Sequence, residues 1–363
     1  MRLRSILWRY LFVRFTGTIL VAFFACFALI YLVDFIEILR QSARVDDVSF
    51  ATLAYVTFLR MPAFAELTLP FAALVGTVTA FLRLSRSSEL TIMRASGMSV
   101  WQFLVPGIVV ALIIGGLSIA VYNPVAAAAS AKSEALRAKL FKRNTSLLQG
   151  TRGAWLRQNS QDGPSVIFAN NTANRGIELA NLFILQYDNA NRFLERIEAA
   201  SATLKDGYWN LSDVLVVRPG RSPEKYGNYH VATNLTREQV SDAFGSLFTV
   251  SFWDLPRHIQ LAEKAGLSAV QYRVQLELLM SRPFMLAAMV LLGATVSLRA
   301  FRFGGIQTMV VTGLIAGLGI FILAEISRQF GIAGLASATV AAWVPVVVAC
   351  LLPLTALLHQ EDG

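Results

Sequence analysis

Three apolar stretches precede residue 125, three follow residue 275, and the roughly 150 residues between them are polar and patterned like strands. The stretches cover residues 12–33, 64–82, 100–122, 278–298, 306–326 and 335–358. Each is close to the ~20 residues that cross a ~30 Å hydrocarbon slab at about 1.5 Å of rise per residue. A chain divided this way is neither a soluble enzyme nor an uninterrupted bundle. It is expected to be an α-helical integral membrane protein with about six transmembrane helices, arranged 3+3 around an inserted all-β domain. The expected divisions are 1–125 for the first three helices, 126–274 for the β domain with its connecting segments, and 275–363 for the last three helices. Composition agrees: 55% of residues are hydrophobic and 15% charged, against about a quarter charged in soluble domains.

Arginines orient the helices. Arg2, Arg4, Arg9 and Arg14 precede or begin the first; Arg83, Arg86 and Arg94 separate the second and third; Arg299 and Arg302 separate the fourth and fifth. Cations in short loops stay in the cytoplasm, so both termini are expected there and the β domain on the opposite side. The net charge of +9 then reports orientation and suits an anionic ligand. Nucleic acid would need a cytoplasmic basic domain, which this pattern does not supply. Phe23-Phe24-Ala25-Cys26 is a poor lipoprotein cleavage site inside an apolar run that continues to Val33, so the first helix is expected to be retained. The other cysteine, Cys350, lies in the last helix, leaving the β domain to a sheet core without disulfides.

Strand signals in that domain are 165–168, 182–187 and 211–217, separated by Asp162-Gly163-Pro164, Asp188-Asn189-Ala190-Asn191, Asp206-Gly207 and Pro219-Gly220. Residues 193–204 have mixed spacing and are assigned to strand because their neighbours are strands with tight turns. Residues 256–273 read as a short amphipathic helix leading back to the membrane.

Catalytic and cofactor signatures are missing. The chain has no phosphate-cradling G-x-x-x-x-G-K-[ST], no H-E-x-x-H and no C-x-x-C, and His230, His258 and His359 lie in separate regions. Neither a metal nor a nucleotide is expected on this chain. Asp34 and Glu37 share a face at the outer end of the first helix, as an acid/base pair would, and equally as a helix end meeting water would. Glu66 and Glu325 are acids at membrane depth, where ionisable groups mark a pathway or a paired structural site. Arg328, three residues after Glu325, either pairs with it or faces a ligand. Gly313 and Gly317 form a small-xxx-small face for close helix approach.

The sharpest local feature lies between the second and third helices, around 85–98. Ser87 or Ser88 is placed to cap a helix start, Glu89 complements its positive end, Leu90, Met93 and Met98 offer an apolar side, and Gly97 ends it. A helix this short must pack on its own bundle or on a cytoplasmic partner.

The run Ser88-Glu89-Leu90-Thr91-Ile92-Met93-Arg94-Ala95-Ser96-Gly97, with Leu69-Pro70-Phe71-Ala72-Ala73-Leu74-Val75-Gly76 before it, resembles the LptF/LptG permease family of bacterial lipopolysaccharide export. The likeness extends over the whole chain. Leu32-Val33-Asp34, residues 275–299 and Val310-Val311-Thr312-Gly313 look closer to the LptG branch.

This resemblance implies an inner-membrane ABC-transporter permease that extracts lipopolysaccharide, with no catalysis of its own. An LptF-like second permease would complete it, an LptB-like ATPase dimer would carry ATP and Mg, and LptC and LptA-like proteins would form a periplasmic bridge reached through a β jellyroll. The segment with Arg86, Ser88, Glu89, Leu90, Met93 and Arg94 would be the ATPase-coupling helix. Lipid phosphate would meet Arg40, Arg44, Lys132, Arg137, Lys139 or Arg328, since an arginine fork suits phosphate. Tyr31, Glu37 and Ile38 stand where the family's lysines are expected, so those contacts do not carry over directly. Phe24, Leu32, Ile320, Phe321 and Ile326 would line the lipid cavity. An ABC permease for lipoprotein, or a mechanical transmitter to another periplasmic substrate, would share the same layout. A motor is required in either lipid case: at about 0.8 kcal/mol per buried CH2, one acyl chain of a dozen methylenes is held by roughly 10 kcal/mol.

Overall fold

The computed structural model describes residues 2–42, 49–141, 154–160, 163–173, 176–188, 192–235, 240, 249–264, 269–303 and 306–362. Two compact units divide the chain: 1–133 with 251–253 and 273–363, and 134–250 with 254–272. The first contains α1 (Arg2–Ser42), α2 (Phe50–Arg86), the short α3 (Glu89–Ala95), α4 (Val100–Leu117) and the start of α5 (Asn123–Phe141). It also contains most of α7 (Val270–Phe303), together with α8 (Ile306–Ile332) and α9 (Ala338–Asp362). Among the described residues six helical spans are long and apolar enough to cross a membrane, as expected.

The helices overrun the apolar runs. α1 and α2 extend through most of the segment between the first two runs. The expected boundary near residue 125 falls inside continuous helix: a π turn, Ser118–Tyr122, joins α4 to α5, and the helix ends only at Phe141. Hydropathy drops there, but Ala126 to Ala129 and the following Ala, Lys, Glu and Leu residues are strong helix formers. The junction has a local cause. Pro124 has no N–H to give to the carbonyl of Ala120, four residues back. Trp253 Nε1 donates to that oxygen at 3.2 Å instead, and the Phe252 N–H donates to Asn123 Oδ1 at 2.7 Å.

The second unit holds a six-stranded antiparallel sheet, β1 (Ala154–Ser160), β2 (Gly163–Ala173), β3 (Glu178–Tyr187), β4 (Phe193–Lys205), β5 (Tyr208–Val217) and β6 (Glu224–Ala232), paired in sequential order. The ambiguous stretch at 193–204 is strand β4. The amphipathic helix α6 is shorter than expected, Leu255–Lys264, and Arg273 belongs to α7.

Inward-facing residues skip a step at one level of the sheet: Leu179 to Leu182, Ala199 to Ala202, and Leu211 to Val214. The residues passed over, Asn181, Ala200 and Asp213, are missing from the ladders, as are Asn170 and Gly227 beside them. A matched irregularity in neighbouring strands creases the sheet while leaving its apolar side inward. The halves close on each other across the crease. Gln158 Oε1 accepts from Trp209 Nε1 at 3.2 Å and from Thr233 Oγ1 at 2.6 Å. Tyr229 donates its hydroxyl to Glu195, which also holds Arg218 at 2.8 Å. Burial first, and then the Glu195 charge, push the Tyr229 hydroxyl above its ordinary pKa.

Candidate functional site

α3 is set by its ends. Gly97, at φ +79°, donates to Arg94 O at 3.0 Å, and Met98 N–H reaches Met93 O at 3.3 Å. This paired closure needs a left-handed residue after the helix, which glycine supplies. The expected serine cap is not made. Ser88 is left-handed at φ 59° with no side-chain cap, and Ser87 Oγ bonds back to Arg83 O at 2.9 Å.

Leu90 and Met93, expected on the coupling surface, are buried in the core of the helical unit and anchor α3 there. The outward face carries Arg94 and Ile92, which is 66% exposed and was not among the expected coupling residues; the apolar side at Leu90 and Met93 packs on the chain's own bundle, one of the two alternatives for so short a helix. Arg86 and Ser88 are also exposed. Tyr10 of α1 donates to Glu89 Oε2 at 2.8 Å, tying the first helix to the start of α3. Helix spacing gives no clue to a contact between residues 79 apart.

At the other end of the bundle Glu66 is the centre of a buried polar cluster, only 5% exposed. Arg282 of α7 donates to Glu66 Oε1, and Asn123 Nδ2 bonds both carboxylate oxygens at 3.1 and 3.2 Å. α2, α5 and α7 are thereby joined, and with them the first and last groups of helices. Arg282 went unrecognised in the sequence, although a cation inside the apolar run 278–298 signals a buried partner. Gly115 permits the approach: a Cβ there would lie 2.4 Å from Pro283 Cα, beside Arg282. Gly317 is likewise pressed against Leu74 of α2, whereas Gly313 makes only ordinary contacts.

The cations expected at the outer end are, among the described residues, already partnered. Asp34 pairs with Arg60 of α2 at 3.0 Å, and Glu37 with Arg40 at 3.2 Å, so the two acids do not form a carboxylate pair. Arg328 forks onto Glu325 at 2.9 and 2.6 Å, and Gln329 bonds the same acid at 2.7 Å. Lys132 donates to the Tyr55 hydroxyl at 2.9 Å. Arg44, and the side chains of Arg137 and Lys139, lie outside the described residues. Among the described residues no group of three or more His, Cys, Asp or Glu side chains is arranged to hold a metal.

Phe24, Leu32, Phe321 and Ile326 all point outward. Ile320 does not: it is 7% exposed and belongs to the bundle core, because it lies on the inner stripe of α8 next to outward Phe321. In the apolar windows of α1 and α8 only 17% of residues are buried, against 39–61% in the other spans. These two helices therefore present the broadest uncovered apolar faces of the helical unit.

A family model described as lipopolysaccharide export system permease LptF/LptG matches residues 9–359. The lipopolysaccharide export system permease protein LptG of Escherichia coli strain K12 is 24% identical over 356 residues, covering 96% of this chain and 94% of that protein. LptG of Escherichia coli O6:H1, strain CFT073, matches to the same extent.

Proposed function

This chain belongs to the LptF/LptG family of lipopolysaccharide export permeases, and from that premise we propose that it is one half of a membrane shell that extracts lipopolysaccharide under the drive of a separate ATPase. The observation that carries this reading is the pair of uncovered helices. α1 and α8 expose Phe24, Leu32, Phe321 and Ile326, the surface that a second, LptF-like permease would face to complete an apolar cavity. Lipid chains leaving a bilayer need such a replacement environment.

In this reading the chain sits in the bacterial inner membrane with both termini in the cytoplasm and the β domain in the periplasm. α3 is the coupling helix. Its inward residues hold it to the bundle, and Ile92 and Arg94 meet one protomer of an LptB-like ATPase that carries ATP and Mg. Glu89, held by Tyr10, passes the displacement of α3 to α1, whose outward face borders the cavity. Arg40 and Arg328 serve lipid phosphate only by exchanging the exposed carboxylates that now hold them, an exchange that costs little between solvated groups. Among the described residues β1 and β6 end the ladder, and either edge would serve for strand addition by an LptC-like bridge protein leading to LptA.

Co-expression with the partner permease and ATPase, followed by mass spectrometry of the purified assembly, tests this. The expected result is a complex holding two ATPase copies and lipopolysaccharide. Ile92→Asp should lose the ATPase while keeping the second permease, since it places a charge at the exposed centre of α3 and disturbs no buried contact. A complex containing lipoprotein in place of lipopolysaccharide would reassign the cargo, and undiminished ATPase binding by Ile92→Asp would remove α3 as the docking site.

A further inference from the structure

The outward side of the sheet carries a groove of about 510 Å³ at the crease, within the range of small-molecule sites. Two of its lining side chains, Phe168 and Phe183, belong to a cross-strand row of rings that Trp155 continues beyond the lining. Trp155 and Phe168 have centroids 4.6 Å apart, Phe168 and Phe183 5.1 Å, and the Arg196 guanidinium lies 4.9 Å from the Phe183 centroid. Trp155 at the end of the row is 63% exposed, leaving ring surface open to solvent.

The next level of the lining is polar: it carries Asn170, Asn181 and Asp213, whose side chains have no hydrogen-bond or ion-pair partner among the described residues. Asn181 and Asp213 are held at φ 49° and 53°, in the left-handed region that Asn and Asp enter more readily than other side-chain-bearing residues.

The charge balance narrows the ligand. Arg196 is neutralised by Glu198 at 2.6 Å, so Asp213 leaves the groove slightly negative and unsuited to phosphate. Rings offer a stacking surface for C–H groups, and planar amide and carboxylate groups offer paired acceptors and donors for hydroxyls. We propose that this groove binds a neutral saccharide, with Phe168 and Phe183 in its lining and the exposed Trp155 beside them as the stacking surface, and Asn170, Asn181 and Asp213 as the hydroxyl-binding edge. This assignment is independent of the transport reading. Hexoses of a surface glycolipid and hexosamines of cell-wall glycan share the required chemistry.

Saturation-transfer NMR of the full chain, in a detergent without a sugar head group, tests the site with two probes: a phosphate-free hexose oligosaccharide and an N-acetylhexosamine oligomer. Saturable transfer to one of them is expected, and its identity names the source. The combined substitution Asn181→Gly and Asp213→Gly keeps the left-handed backbone while deleting both polar groups, so the domain should stay folded and affinity should fall about tenfold or more. Trp155→Ala should lower it similarly. No saturable transfer to either probe, or binding unchanged in the double glycine variant, would overturn the assignment.

Discussion

Arg282→Leu is expected to destabilise the helical unit by about 3–5 kcal/mol, because it strands the Glu66 carboxylate at 5% exposure between membrane helices. Glu66→Leu, leaving Arg282 without its acceptor, should cost a similar amount. The double variant Glu66→Leu with Arg282→Leu should recover most of the loss, since a buried ion pair gains little over apolar residues of similar volume once both charges are gone. Denaturant titration of the purified chain in mixed micelles measures all three. Additive losses in the double variant would mean that the two residues act through separate contacts.

Gly115→Leu should be nearly as damaging, at about 3 kcal/mol or more, for a steric reason. The new Cβ would meet Pro283 Cα at 2.4 Å, and backbone cannot swing aside as a side chain does. α7 would have to withdraw from α4 at the level where Arg282 reaches Glu66. The Gly115 and Arg282 substitutions are therefore expected to be non-additive, the second costing much less in the presence of the first. The same titration reads this, and simple additivity would separate helix approach from the ion pair.

Much of this architecture was legible in the residues. Six apolar runs of membrane length declared six helices, and Glu66 declared itself by being an acid at that depth. The segment from Ser88 to Gly97 gave both a helix and its end, because the C-terminal closure depends on one glycine. Facing is the part that was not legible. In a helix that is apolar all round, periodicity does not distinguish a core stripe from a lipid or partner stripe, so Ile320 and Phe321 read alike, and the apolar side of α3 at Leu90 and Met93 suited its own bundle and a partner equally.

Long-range partners were equally hidden. Asp34 with Arg60, Tyr10 with Glu89 and Glu66 with Arg282 meet because of tertiary packing that no local pattern encodes. The overrun of the third span to Phe141 had a local signal, an alanine-rich run of high helix propensity, which hydropathy alone discards. The crease in the sheet was also written locally, as three-residue steps between inward apolar positions in β3, β4 and β5.

On the function proposed above, this chain supplies a membrane shell without nucleotide chemistry and a separate ATPase drives lipid through it. Lipopolysaccharide release from proteoliposomes, followed per ATP consumed, tests it most directly when this chain, a partner permease and the ATPase are reconstituted together and with each omitted in turn. ATP-dependent release is expected only from the complete set, with no ATP turnover by this chain alone. Release or ATP turnover from vesicles lacking the ATPase would contradict it.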